Sequence, residues 1–133
     1  MFRERIKNND GVAALEFGLV LPVLMALLMG IVDYGQIYFV QLSMTNAARE
    51  GARVGATRSA DNAAPAAVAA ANAYLANAGI TATVSATVPS EANPTVEVTI
   101  TIGQWEPLCG LVPTPDTLNA SASMRWELAS PEP

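Results

Sequence analysis

The chain has 133 residues, with 7 Lys and Arg against 12 Asp and Glu, a formal net charge of −5, no histidine and a single cysteine, Cys109. A Ser/His/Asp triad, a Cys/His nucleophile pair and a Cys/His zinc site are excluded for want of residues. The Lys/Arg footprint that phosphate binding needs is also missing, so no nucleic acid partner is expected, and a lone cysteine cannot close an internal disulfide.

The chain opens on a short polar stretch carrying Arg3, Arg5 and Lys7, followed by an apolar run from Gly11 to Val32 that holds one carboxylate, Glu16. At about 1.5 Å rise per residue the run reaches roughly 33 Å, enough to cross a hydrocarbon core of about 30 Å as one helix. Its Leu and Met residues fall on every side of that helix and not on one stripe, which favours a membrane span over a core helix. Basic residues precede the run, and none follows it before Arg49. That asymmetry puts the N-terminus in the cytoplasm and the remainder outside. Pro22 removes one backbone hydrogen bond and should bend the helix, a defect that membrane helices tolerate. Ala14 and Gly18, and again Ala26 and Gly30, have the four-residue spacing of close helix contacts, although Ala-rich segments also produce it by chance.

Glu16 is the anomaly of the run. A carboxylate at that depth costs a few kcal/mol or more on insertion and calls for a partner. The run itself contains no Lys, Arg or His, so the partner lies elsewhere. A cleavable secretory signal has a shorter apolar region ending in an A-x-A type site, which this run lacks. An uncleaved anchor bearing a periplasmic binding or scaffold domain fits the hydrophobicity but leaves Glu16 unexplained.

No proline or strong turn interrupts the sequence beyond the run until Ser59 and Asp61, so a helix from 12 to 58, roughly 70 Å long, is expected. Asp33, Tyr34 and Tyr38 are placed at the outer membrane interface, where an acidic group meets water and Tyr rings suit the headgroups. Ala47, Gly51 and Gly55 recur every four residues, with Ala48, Ala52 and Ala56 beside them, leaving one face nearly bare of side chains. That face suits close packing, either against the protein's own sheet or against a neighbouring helix. Arg49, Glu50 and Arg53 project from the other side, with Glu50 and Arg53 spaced to pair.

Asp61 or Asn62 should cap a second helix, with Pro65 in its first turn and Gly79 at its end. Val68, Ala71, Tyr74 and Leu75 form its apolar stripe. Three strands follow by period-two alternation. The first carries Ile80, Ala82, Val84, Ala86 and Val88, the second Val96, Val98, Ile100 and Ile102, and the third Leu118, Ala120, Ala122, Met124, Trp126 and Leu128. A turn from Pro89 to Pro94 joins the first two, and a loop from Gly103 to Thr117 joins the last two. That loop holds Trp105, Leu108, Cys109, Leu111 and Val112; it either contacts a partner or caps the sheet, and Cys109 is either free to pair with another chain or, as expected, buried in it. Glu91, Glu97 and Glu106 are scattered without a convergent pair, so no enzyme, catalytic residue, metal or cofactor is expected. The fold class is α+β: a long helix and a short Ala-rich helix covering one face of a small three-stranded antiparallel sheet.

The segment Gly11-Val12-Ala13-Ala14-Leu15-Glu16-Phe17 resembles the processing region of type IV prepilins, and Glu followed by an aromatic resembles the Flp, or tight-adherence (Tad), branch. Together with LVLPVLMALLMGIVDYGQIY and with Thr45-Asn46-Ala47-Ala48-Arg49-Glu50-Gly51-Ala52-Arg53, it is similar to the TadE-like family over residues 8–58. The ending Ala120 to Glu127 is similar to the closing strand of such proteins. The resemblance implies a type IV pilin architecture and a minor pilin or pseudopilin that helps to assemble a Flp-type pilus for surface attachment. It implies cleavage between Gly11 and Val12 by a prepilin peptidase, which makes Glu16 the fifth residue of the mature chain, beside Phe17. Residues 1–11 are then a leader, 12–58 the long helix with 12–32 in the membrane, and 59–133 an extracytoplasmic domain. It further implies that Glu16 pairs with the freed α-amine of a neighbouring subunit, which offsets the cost of both buried charges. The implied partners are the peptidase, other pilins, the assembly machinery and membrane lipid, in a hetero-oligomer at the bacterial inner membrane.

Overall fold

The computed structural model describes residues 9–90, 92–110 and 113–126. Helix α1 runs without a break over Asn9–Ala56, with Pro22 inside it. Its last turn tightens as Thr57 N–H and Arg58 N–H donate to the carbonyls of Val54 and Gly55, at 3.4 and 3.1 Å. The helix therefore stops just short of the predicted end at 58.

Helix α2 spans Ala60–Asn77 and begins earlier than Asp61 and Asn62 predict. Ser59 is the N-cap residue, and Asn62 donates to it twice, from its N–H to the Ser59 carbonyl at 2.9 Å and from its side-chain amide to Ser59 Oγ at 3.0 Å. Pro65 then sits inside the helix and not in its first turn. Its missing N–H deprives only the carbonyl of Asp61, in the exposed first turn, where water can serve instead. The buried stripe is Ala63, Ala67, Ala71 and Leu75. Tyr74 is left exposed and Val68 half-buried, because the small alanines bring α2 close to its neighbours and centre the contact on themselves. The helix closes with Gly79 at φ +69°, Gly79 N–H donating to Ala76 at 3.1 Å and Ile80 N–H to Leu75 at 3.0 Å. This is a Schellman ending, which uses the left-handed backbone glycine adopts freely.

Strands β1 (Thr83–Ala86), β2 (Thr95–Ile102) and β3 (Leu118–Arg125) form an antiparallel sheet in the order β1-β2-β3. Val84 pairs with Ile100, Val98 with Ala122 and Ile100 with Ala120, so the apolar positions share one face. β1 is shorter than its alternation predicts, and Val88 lies exposed beyond its end. Met124, opposite Val96 near the end of β3, is also exposed, while Leu128 lies outside the described residues.

Val96, Val98 and Ile100 are completely buried against Met44, Ala47, Ala48 and Ala52 of α1 and Ala63, Ala67 and Ala71 of α2. Polar ties fasten the edges. Gln41 Nε2 donates to the Asn119 carbonyl at 2.7 Å, and the Trp126 indole N–H donates to the Arg58 carbonyl at 2.7 Å. The fold is α+β as predicted, with the core at the C-terminal half of α1 and the N-terminal half standing clear.

Candidate functional site

The clear half of α1 is a continuous exposed apolar surface. Every residue from Gly11 to Met29 is exposed, with Leu15 and Leu19 at 75% and Phe17 at 63%. This is a helix long and apolar enough to cross a membrane, and its most apolar window has none of its residues buried in the protein. A soluble monomer rarely exposes a contiguous apolar patch of this extent, so lipid or other helices must cover it. Glu16 and Phe17 lie on this bare surface, and the Gly11–Val12 bond lies within the first turns of the same helix. Arg3, Arg5 and Lys7 are outside the described residues. The one ion pair among the described residues is elsewhere, so Glu16 has no countercharge there.

Farther along, α1 is seated in the domain. A Cβ on Gly51 would come within 2.8 Å of the Ala67 carbonyl and 3.1 Å of the Ala71 Cβ. One on Gly55 would lie 2.9 Å from both the Ala67 Cβ and Val96 Cγ1, and 3.0 Å from the Ala63 carbonyl. Ala47 is completely buried in the same cluster. The bare face formed by Ala47, Gly51 and Gly55 therefore meets the chain's own α2 and β2, at distances only glycine allows. On the opposite side, Arg53 grips Glu50 through two hydrogen bonds, Nε to Oε2 at 2.9 Å and Nη2 to Oε1 at 2.7 Å. The guanidinium, first through these bonds, lowers the Glu50 carboxyl from its ordinary value, and the carboxylate raises Arg53. Both groups are well exposed, so water screens most of what the pair contributes. Arg49 is exposed beside them.

Asp33 departs from expectation. It does not meet water at the interface but is 0% exposed, whereas Tyr34 and Tyr38 are exposed at 55% and 71%. The reason is phase: Asp33 lies at helical spacing from Val40, Met44, Ala47 and Gly51, the residues that face the core. The loop after β2 covers it, and the Cys109 N–H donates to Asp33 Oδ1 at 2.8 Å. Hydropathy alone placed Asp33 by its depth along the helix; the signal that would have found it is this spacing.

In that loop Trp105 packs on the core and Leu108 is 69% exposed, while Leu111 and Val112 are outside the described residues. Cys109 is half-buried, short of the burial expected for it. Desolvation first, then the charge of Asp33 and a hydrogen bond to it, raise the thiol above its ordinary value. A shallow groove of about 430 Å³ lies between α1 and the loop, lined in part by Phe39, Val40, Ile80 and Trp105. Among the described residues no cluster of three His, Cys, Asp or Glu side chains is placed to hold a metal ion.

These features define a class of protein, a small α+β domain carried on one long helix whose free half is built for lipid or for other helices. Residues 11–53 match the family model described as TadE-like protein. The match falls on α1 and takes in Gly11, Val12, Glu16, Phe17, Asp33, Ala47 and Gly51, while α2 and the sheet lie beyond it. No curated protein and no solved structure matches the chain.

Proposed function

We propose that the chain is a minor pilin or pseudopilin of a tight-adherence (Flp-type) pilus system, acting in pilus assembly and so in surface attachment. The observation that carries this reading is the free half of α1: a wholly exposed apolar helix, matched to the TadE-like family, with a single carboxylate five residues past a glycine. In this reading a prepilin peptidase cuts between Gly11 and Val12, removing residues 1–11 as a leader. Residues 12–58 are the mature helix, lodged in the inner membrane over 12–32 with its N-terminus cytoplasmic, and 59–133 form the extracytoplasmic domain. Cleavage creates a positive charge on Val12. Glu16 of the same mature helix is the complementary charge, and pairing between neighbouring subunits relieves two costly groups at once. Phe17, exposed beside it, packs against the incoming helix. The face formed by Ala47, Gly51 and Gly55 has a different role, fixing the domain on its own helix. The partners are the peptidase, other pilins, the assembly machinery and lipid, and the role is structural, without a cofactor.

Cells lacking this chain are expected to lose surface attachment and Flp-type filaments, and to regain both when the chain is supplied again. Attachment and filament counts equal to those of the parent strain would overturn the reading.

A further inference from the structure

The residue that anchors the loop after β2 lies where α1 first enters the domain. Asp33 follows directly on the apolar run that ends at Val32, and its side chain is 0% exposed. What closes over it is a strap from Gly103 to Gly110, which leaves the end of β2 and turns at Gly110 with φ +65°. Among the described residues the strap makes one hydrogen bond to α1, from the Cys109 N–H to Asp33 Oδ1 at 2.8 Å. Its other backbone tie, Trp105 N–H to the Asp116 carbonyl at 2.9 Å, joins the strap to its own return and not to the helix.

The second carboxylate oxygen, Asp33 Oδ2, is buried with no hydrogen-bond partner among the described residues. A carboxylate taken out of water with so few partners retains much of its desolvation cost. Opening the strap returns Asp33 to water and recovers that cost, whereas a strap held by apolar contacts alone would gain nothing polar by opening. The Trp105 indole N–H is likewise buried without a partner among the described residues, a second polar group that opening would satisfy. Closure is held against these two by the packing of Trp105 on the core and by the single bond to Asp33.

We propose that the segment Gly103–Gly110 is a latch, fastened to α1 by Asp33, that opens locally without unfolding the domain and uncovers the inner face of α1 around Asp33, Ile37 and Val40. The latch sits at the first turn beyond the membrane run, so its state governs whether that turn is bound to the domain or free to contact another helix. It does not depend on cleavage at Gly11 or on membership of a filament.

Cys109 is a reporter already built into the strap. It is half-buried, and burial first, then the charge of Asp33 on α1, raises its thiol above its ordinary value. The rate of maleimide labelling of Cys109 in the full chain in detergent micelles, followed against pH, reads the charge of Asp33 and the crowding around the thiol. Opening is read at the Cys109 amide, whose N–H donates to Asp33 Oδ1 and is expected to exchange its hydrogen under conditions where the amides of β2 remain protected. Exchange of the Cys109 amide only at the rate of the β2 amides would overturn the latch, since the strap would then open only with the whole domain. Asp33→Asn keeps an acceptor for the Cys109 N–H and loses the charge, so the midpoint of the pH profile should fall while the limiting rate at high pH stays that of the wild type. Asp33→Ala loses both, and its limiting rate should rise severalfold. An Asp33→Ala profile with the wild-type limiting rate would also overturn the proposal. The wild-type comparison stands by itself if the alanine variant fails to fold.

Discussion

Glu16→Ala is expected to leave the chain in the membrane and take it out of the filament. A carboxylate in the hydrocarbon region costs about 2.5–3.5 kcal/mol on insertion scales, so its removal makes insertion easier. Assembly responds in the opposite sense. In the proposed filament Glu16 faces the α-amine of Val12 on a neighbour, and deleting one member of a buried pair leaves the other charge uncompensated, a loss of about 3–5 kcal/mol. Each 1.4 kcal/mol is about a factor of ten in an equilibrium constant, so incorporation should fall by more than about a hundredfold. Glu16→Gln separates charge from shape, since it keeps the size and one acceptor but not the charge; it too should be excluded, though less completely. The measurement is the ratio of the chain in sheared filaments to that in membranes. An alanine variant present in filaments at the wild-type ratio would remove the charge pair from the account.

The second large effect is on folding. Gly55→Leu and Gly51→Leu are each expected to cost more than about 3 kcal/mol, beyond the usual range for overpacked core sites. The first carbon of the new side chain already meets Val96 Cγ1 at 2.9 Å at position 55 and the Ala67 carbonyl at 2.8 Å at position 51. The obstacles include backbone carbonyls of α2, which cannot swing aside as the end of a long side chain can. Alanine at either site sets a gain of about 1 kcal/mol in helix propensity against about 1–3 kcal/mol of crowding, and should be mildly destabilising. Gly35→Ala is the control: it lies on the same helix, exposed, with nothing within 4 Å of the added carbon, and should stabilise by about 0.5–1 kcal/mol. Denaturant unfolding followed by the fluorescence of Trp105 and Trp126 measures all of these. Leucine variants as stable as the wild type would mean that α1 and α2 do not pack as described.

Both effects originate in features legible from the residues alone, and the reasons they were legible are physical. An apolar run of membrane length with one charge has few alternatives, and a repeat of glycine and alanine every four residues demands a close neighbour. Spacing did not choose between the chain's own elements and another helix; the structure puts α2 and β2 against Gly51 and Gly55. The alternating strands and the glycine ending of α2 were readable because period and left-handed backbone are local properties. The start of α2 falls before the expected Asp61 or Asn62 because Ser59 is an equally competent cap residue, and Asn62 donates back to it. Tyr74 and Met124 carry the right residue type for a core and lie at its margin, because a small sheet cannot cover every apolar side chain. The burial of Asp33 is legible only in its helical spacing from Val40, Met44 and Ala47, while its partner, the Cys109 N–H far along the chain, leaves no mark in the sequence.

In the proposed function the apolar helix is the processed, assembling end of a pilin and not a permanent anchor. The intact mass of the protein recovered from its native host, with and without an active prepilin peptidase, tests this most directly. A chain beginning at Val12 is expected when the peptidase is active, and one that retains residues 1–11 when it is not. A chain that retains Met1 in the presence of active peptidase would contradict it.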